Sequence, residues 1–219
     1  MKSAILENGE TYYTYLDKVF KAIDNEQIRY NWLITERDCY PSDSTFRELF
    51  SQEYIWLTGQ ELTAIIAAER FSFVWGVFSG FKPEIPLNEV LQYDLPYANG
   101  YTGFWLDDVG IQHPLADIEI VAWDSSLTLF ISKDDELADK FLQAFPLSED
   151  LSAKNTRENR QVAHIEELLL IEAEKRKLPI DERLLRNKYE IWHVLYYRNE
   201  RTIEDAEILK SIKDILNRI

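Results

Sequence analysis

Apolar and polar residues alternate with two different periods along the first part of the chain. Between Glu10 and Asp24 the apolar residues recur at helical spacing, which predicts an amphipathic helix. Its buried face would hold Tyr12, Leu16, Val19, Phe20 and Ile23. From Ile28 to Thr35 the period changes to two, which predicts a strand. The apolar side of that strand would hold Ile28, Tyr30, Trp32 and Ile34.

Further along, a helix is predicted between two apolar stretches. The segment "YIWLTGQELTAII" places Thr58 three residues before Glu61, which is the spacing of a capping box, so a helix begins there. The next stretch, "FSFVWGVFSGF", is apolar at both odd and even positions, which predicts a central strand covered on both faces. One predicted face holds Phe71, Phe73, Trp75 and Val77, and the other holds Val74 and Phe78.

Two alternating stretches, in "IEIVAWDSSLTLFI", meet at Asp124-Ser125-Ser126. An Asp followed by two Ser could form a catalytic corner, but no base is positioned beside it, and these residue types commonly close turns. We therefore predict a hairpin. A helical pattern follows from about Asp134, with Asp135 and Glu136 in the first turn, where the helix dipole favours acidic residues.

The rest of the chain contains a long irregular region and a helical tail. Residues 82–116 are rich in prolines and turn residues, which predicts irregular structure. The tail predicts three helices near 156–177, 181–198 and 202–218, with a junction at Asn199 and Thr202. We therefore expect an α+β domain over residues 1–152, with a mainly antiparallel sheet flanked by helices. An all-helical C-terminal region would follow over residues 153–219.

The charge of the chain is negative and unevenly placed. The net charge is −15, and residues 1–150 carry 26 acidic against 10 basic residues, a net −16. A field of this sign repels phosphate backbones and attracts basic proteins. We expect a basic protein partner and no direct nucleic-acid binding by the first domain; plain solubility is the alternative explanation for the charge.

Other global features narrow the class of protein. The single cysteine, Cys39, cannot form an internal disulfide, and a buried structural thiol is a simpler interpretation than a nucleophile. The start, "MKSAILENGE", lacks the pattern of a signal peptide, and no apolar run is long enough to span a membrane. We expect a cytoplasmic protein without a membrane segment.

Candidate catalytic chemistry is sparse. His113 stands among acidic residues of the irregular region and could bind a divalent metal with them, although the spacing matches no known metal site. Glu190 and His193 have a spacing used in di-iron bundles, but only one such motif is present. We assign no catalytic residue, metal ligand or cofactor; a metal-dependent hydrolase centred on His113 and nearby acids stays an alternative.

The loop from Tyr93 to His113 is the predicted functional surface, because it is aromatic and flanked by acidic residues. Core packing of the same aromatic residues is the competing interpretation. The predicted partner-binding residues are Tyr101 and Trp105 as aromatic anchors, with Asp107, Asp108, Asp117, Asp134, Asp135 and Glu136 as acidic contacts.

Three segments, "NWLITERDCYP", "WGVFSGF" and "VAWDSSLTLFISKD", carry a resemblance to small bacterial domains of unknown function found in Firmicutes, over roughly residues 10–145. This resemblance implies a fold and no functional residue. In size and acidity, and in having no recognisable catalytic set, the chain also resembles immunity proteins of bacterial toxin systems. The leading hypothesis is a non-enzymatic acidic binding protein, such as an inhibitor of a toxin nuclease. A further alternative is a structural subunit of a defence-type assembly that docks through its C-terminal helices.

Overall fold

Seven strands form one antiparallel sheet in a computed structural model that describes residues 1–197 and 203–218. The strands are β1 Lys2–Leu6, β2 Asn31–Cys39, β3 Ile55–Thr58, β4 Phe73–Phe81, β5 Ile118–Trp123, β6 Leu127–Ser132 and β7 Glu149–Asp150. Their order across the sheet is β3-β2-β4-β5-β6-β1-β7. The expected α+β class, with a helical region after the sheet, is confirmed.

The chain divides into two compact units, residues 1–154 and residues 155–219. The helices of the first unit are α1 Leu16–Ala22, α2 Ser44–Leu49, α3 Gly59–Ala68, α4 Leu87–Val90 and α5 Asp135–Ala144, with 3-10 turns at Glu26–Arg29 and Gly103–Trp105. The later helices are α6 Leu151–Lys175, α7 Glu182–Trp192, continued by a π-helical turn His193–Tyr197, and α8 Asp205–Leu216. The boundary between the units therefore falls inside α6.

Helices pack on the first face of the sheet. Leu16 and Phe20 of α1, Leu62 of α3 and Phe141 of α5 are buried there with Trp32 of β2. The capping box at the start of α3 is present as predicted: Thr58 accepts from the Glu61 N–H, and the Glu61 carboxylate accepts from the Thr58 N–H. The helix α5 also begins where its pattern predicts it.

The second face is covered by the irregular segment of residues 82–116, which we call the covering loop. Its residues Ala98, Phe104 and Val109 are buried against Val77 of β4 and Val121 of β5. A smaller cluster beside it joins Leu33, Phe81, Val90 and Ala116. The prediction that β4 is covered on both sides is therefore confirmed.

The predicted hairpin is confirmed as β5 and β6. Asp124 and Ser125 both have positive φ, and the Ser126 N–H donates to the Trp123 carbonyl at 2.9 Å, which defines a type I′ turn. The twist of this turn matches that of the flanking strands. Asp124, Ser125 and Ser126 therefore form the predicted turn.

Several element-level predictions differ from the structure. β1 was not predicted at all, although it pairs with both β6 and β7. The helix predicted from Glu10 begins only at Leu16, and Tyr12 is 54% exposed instead of buried. Ile28 lies in a 3-10 turn before β2 and is exposed.

The predicted faces of β4 are also partly wrong, because β2 and β4 each contain an extra residue. Thr35 pairs with Val77 and Asp38 with Trp75, whereas Cys39 pairs with Phe73. Each extra residue shifts the alternation by one position. Phe73 therefore lies on the first face with Phe78, in ring contact at 4.8 Å, and not with Val77.

The second unit has a core of its own. Buried residues of α6, α7 and α8 form it: Ile165, Leu169, Ala173, Leu184, Ile191, Ile208, Ile212 and Leu216, together with Ile203. The predicted junction at Asn199 and Thr202 lies outside the described residues. Within the described part of the chain, no helix is long and apolar enough to cross a membrane.

Candidate functional site

The covering loop exposes apolar and acidic side chains on its outer side. Its exposed residues of these two kinds include Leu91, Tyr93, Asp94, Tyr97, Leu106, Asp107 and Asp108, which we call the acidic loop surface. Tyr97 is 49% exposed and Leu106 is 58% exposed. Two of the predicted contacts, Asp107 and Asp108, belong to this surface.

Glu36 of β2 holds the main chain of the covering loop. Its carboxylate accepts hydrogen bonds from the Ala98 and Asn99 N–H groups, the latter at 2.9 Å. Glu36 has a φ of 43°, at the extra residue that interrupts the β2–β4 pairing. The bulge therefore aims a carboxylate at the loop, which is a known use of β-bulges near functional sites.

Two further side chains complete this clamp on residues 96–99. The Thr35 hydroxyl donates to the Pro96 carbonyl at 2.7 Å. The Gln112 side chain bonds both main-chain groups of Tyr97: its amide nitrogen donates to the carbonyl at 2.9 Å, and its oxygen accepts from the N–H at 3.1 Å. The main chain that presents Tyr97 is thus fixed by two side chains of β2, which are far away in sequence, and by Gln112 of the same loop.

Aromatic rings connect the covering loop to the sheet beneath it. The ring centroids of Tyr101 and Phe104 lie 4.7 Å apart. Those of Trp105 and Trp123, which ends β5, lie 5.1 Å apart. Trp75 of β4 also packs on Trp123, at 5.0 Å. Burial raises the pKa of Tyr101 above its ordinary value. Tyr101 and Trp105, predicted as anchors, are thus half-buried parts of the loop's packing.

The remaining predicted acids lie at the other end of β5. Asp117 precedes the strand and faces two lysines, Lys133 at 3.3 Å and Lys82 at 3.7 Å. Because β5 spans six residues, Asp117 and Trp123 are separated by about 20 Å. Trp105 packs on Trp123, so Asp117 and this anchor do not form one compact patch.

The three acids around the start of α5 have local partners. Asp134 caps the helix by accepting from the Glu136 N–H at 3.0 Å. The Asp135 carboxylate lies 3.2 Å from the Met1 α-amino group, and the Glu136 carboxylate lies 3.5 Å from the Lys140 ammonium. A basic partner would compete with these local groups for the three acids.

A cleft of about 730 Å³ opens near Asp117. Its lining includes Tyr30, Asn31, Lys82 and Glu84 as well as Asp117. The lining carries charges of both signs, and the ion pair between Asp117 and Lys82 neutralises part of that charge.

His113, the centre of the alternative metal hypothesis, is 1% exposed. Its Nε2 lies 3.1 Å from the Val90 carbonyl, and its Nδ1 accepts from the Leu115 N–H at 3.2 Å. Burial lowers its pKa, which favours the neutral ring, and both ring nitrogens are engaged by main-chain groups. Among the described residues, no group of three or more His, Cys, Asp or Glu side chains could hold a metal ion.

The half-buried Cys39 also has a shifted pKa. Burial raises the pKa of its thiol to about 12. A thiol with this pKa stays protonated at neutral pH, and the thiol form is a poor nucleophile.

Glu119 is not among the residues predicted from the sequence, although it is the most unusual polar residue of the sheet. It is fully buried on β5, and burial raises its pKa to about 8. The Ser79 hydroxyl and the Gln112 N–H each donate to its Oε2 at 3.3 Å, while Oε1 has no hydrogen-bond partner among the described residues. A lone acid in the otherwise apolar stretch "IEIVAW" was the available signal.

Comparison with known proteins gives a match over one part of the first unit. No curated protein and no solved structure matches the chain. Residues 1–98 match the model of a family described as "Protein of unknown function (DUF2691)", which confirms the expected domain of unknown function. The matched segment contains β1 to β4 and ends inside the clamp, at Ala98.

Proposed function

We propose that this chain is a non-enzymatic binding protein whose first unit engages a basic protein through the acidic loop surface. The observation that carries the proposal is the fixed loop: Glu36 and Gln112 hold the main chain at residues 97–99. Asp107 and Asp108 are exposed on the same loop. A loop that is ordered before binding loses less conformational freedom when a partner docks.

The charge of the first unit supports the same proposal. A net charge of −16 over residues 1–150 would steer a basic protein toward the unit and raise its association rate. Exposed Tyr97 and Leu106 would supply apolar contact area between the acidic residues.

The proposed partner class is a basic protein with a cleft built for phosphate, such as a toxin nuclease. Carboxylates can occupy positions that accept phosphate oxygens, because arginine and lysine pair with both groups. An inhibitor of this kind covers the cleft without chemistry of its own, which is the role of an immunity protein.

Affinity capture from the native host at low and high salt, followed by titration of the captured protein, tests the proposal. Asp107→Lys with Asp108→Lys should weaken binding at least about tenfold, mainly through slower association, and should reduce the salt dependence. The matched control is Glu48→Lys with Glu53→Lys, which makes the same charge change at exposed residues outside the loop.

The two variants separate the loop from the overall charge. The expected result is a large effect of the loop variant and a small effect of the control. Equal effects would mean that net charge alone steers binding and that the loop mapping is wrong. Failure to capture any basic protein at low salt would contradict the proposed function itself.

A further inference from the structure

Glu119 lies where the covering loop meets the middle of the sheet. On β5 it pairs with Ser79 of β4 on one side and with Ile131 of β6 on the other. The Gln112 N–H of the covering loop donates to its carboxyl group from above. The side chain has no exposure to solvent.

The carboxyl group is poorly equipped to carry a charge. Oε2 has two long hydrogen bonds, from Ser79 and Gln112, and Oε1 has no partner among the described residues. A buried carboxylate without a cation or several donors is strongly disfavoured, so the neutral acid is the form that fits this place. The pKa of about 8 agrees with this geometry.

Few charged groups face Glu119 from the elements packed around it. Ser79 and Ile131, its sheet neighbours, carry no charge, and Gln112 of the loop is also neutral. Tyr101 of the loop is the titratable side chain that faces it, and the carboxylate raises the pKa of that phenol further. Tyr101 stays neutral over the same pH range and cannot compensate a charge on Glu119.

The contact of Glu119 with Gln112 connects its protonation to the clamp on the covering loop. The Gln112 main chain touches Glu119, and the Gln112 side chain bonds both main-chain groups of Tyr97. Moving Gln112 away from the sheet would admit water to Glu119 and also release Tyr97. Solvation of the carboxylate and opening of the loop are therefore the same event.

We propose that the proton on Glu119 holds residues 94–112 of the covering loop against the sheet, and that losing this proton releases this segment. The ionised carboxylate is stable only when water reaches it, so it favours the open loop. Proton loss thus acts as a conformational device built into the fold, independent of any partner.

The direction and size of the effect follow from the two pKa values. In the open loop Glu119 would titrate near its ordinary value of 4.5, and in the closed loop near 8. The closed state is therefore fully favoured below pH 4.5 and loses that advantage as the pH rises to 8. The opening equilibrium constant should increase about tenfold per pH unit inside this window, and about fifty-fold between pH 6 and pH 8.

Amide hydrogen exchange between pH 6 and pH 8, corrected for intrinsic rates, measures the opening of residues 97–101 and Gln112. The wild-type opening constant should rise about fifty-fold over this range. In Glu119→Gln, a neutral side chain of the same shape, it should stay constant. Glu53→Gln, at an exposed site outside the loop, should behave like the wild-type protein.

A carbon NMR titration of the Glu119 carboxyl group in the wild-type protein provides a second test, which stands even if the variant does not fold. An inflection near pH 8 supports the proposal, and one near 4.5 overturns it. Opening that does not depend on pH in the wild type, or that depends on it equally in Glu119→Gln, also overturns it. Neither measurement needs a partner, so both are independent of the proposed binding function.

Discussion

Glu36, Gln112 and His113 show how polar side chains are used in the first unit. Each bonds main-chain groups at another place in the chain, so each fixes the path of a segment that has no regular structure. Buried main-chain groups need such partners when no strand or helix supplies them. The long covering loop is ordered by these few side chains together with its aromatic contacts.

Replacing Glu36 should loosen this arrangement. Glu36→Ala removes the acceptor of two main-chain N–H groups, and we expect the free energy of unfolding to fall by about 1–3 kcal/mol. Glu36→Gln keeps one acceptor oxygen and should lose less. Urea denaturation measures both variants.

Glu53→Ala serves as the control, because Glu53 is exposed and its side chain has no role in the loop. Its effect should stay within about 0.5 kcal/mol. An equal loss in Glu36→Ala and Glu53→Ala would mean that the clamp contributes nothing to stability.

The sequence predicts the exposed acids of the loop more readily than the residues that hold it. Asp107 and Asp108 are charged residues in a region of irregular structure, where exposure of charged side chains is the usual outcome. Glu36 contacts Ala98, 62 positions away, and Glu119 contacts Ser79, 40 positions away. Such pairs depend on strand order, which periodicity does not contain.

At the scale of elements, predictions succeeded where the signal is local. The capping box of α3, the hairpin turn and the start of α5 each depend on residues within a few positions of one another. β1 was not predicted because its five residues are too few to show a clear periodicity. The bulges between β2 and β4 were not predicted, because a residue is recognised as extra only when its strand is aligned with the partner strand.

The hairpin turn offers a stabilising change. Asp124 and Ser125 both adopt positive φ, which is unfavourable for most L residues and suits Asn and Gly. Asp124→Asn with Ser125→Gly should raise the free energy of unfolding by about 0.5–1 kcal/mol, as measured by thermal denaturation.

Ser126→Gly is the matched control, since Ser126 does not have positive φ. It should give no stabilisation, because it only increases the freedom of the unfolded chain. If both changes had the same effect, backbone strain at the turn would not explain the result.

At the scale of the whole molecule, the fold class was predictable, whereas the path of the chain through the sheet was not. Mixed helix and strand patterns followed by helices alone indicate the class. The insertion of β1 between β6 and β7 depends on contacts between opposite ends of the first unit. The unit also includes the first turn of α6, which a boundary drawn from charge alone would have cut.

Two fragments test where the first unit ends. Leu151 is buried in the second-face core, and Lys154 pairs with Glu7 at 3.0 Å. A fragment of residues 1–154 should therefore be more stable than residues 1–150, by about 2–4 kcal/mol in urea denaturation. In the full chain, Leu151→Ala should produce a similar loss.

Leu147→Ala is the control for that substitution, because Leu147 is 61% exposed. It should change stability by less than about 0.5 kcal/mol. Equal stability of the two fragments would place the end of the unit before α6.

The position of β1 has a consequence for how the protein is made. Its residues pair with β6 residues that are translated 122 to 130 positions later. At ribosomal speeds of 5–20 residues per second, β1 would wait roughly 10 s for its partner strand. During that interval its apolar residues must stay unpaired on the nascent chain. The sheet can close only after most of the first unit has left the ribosome.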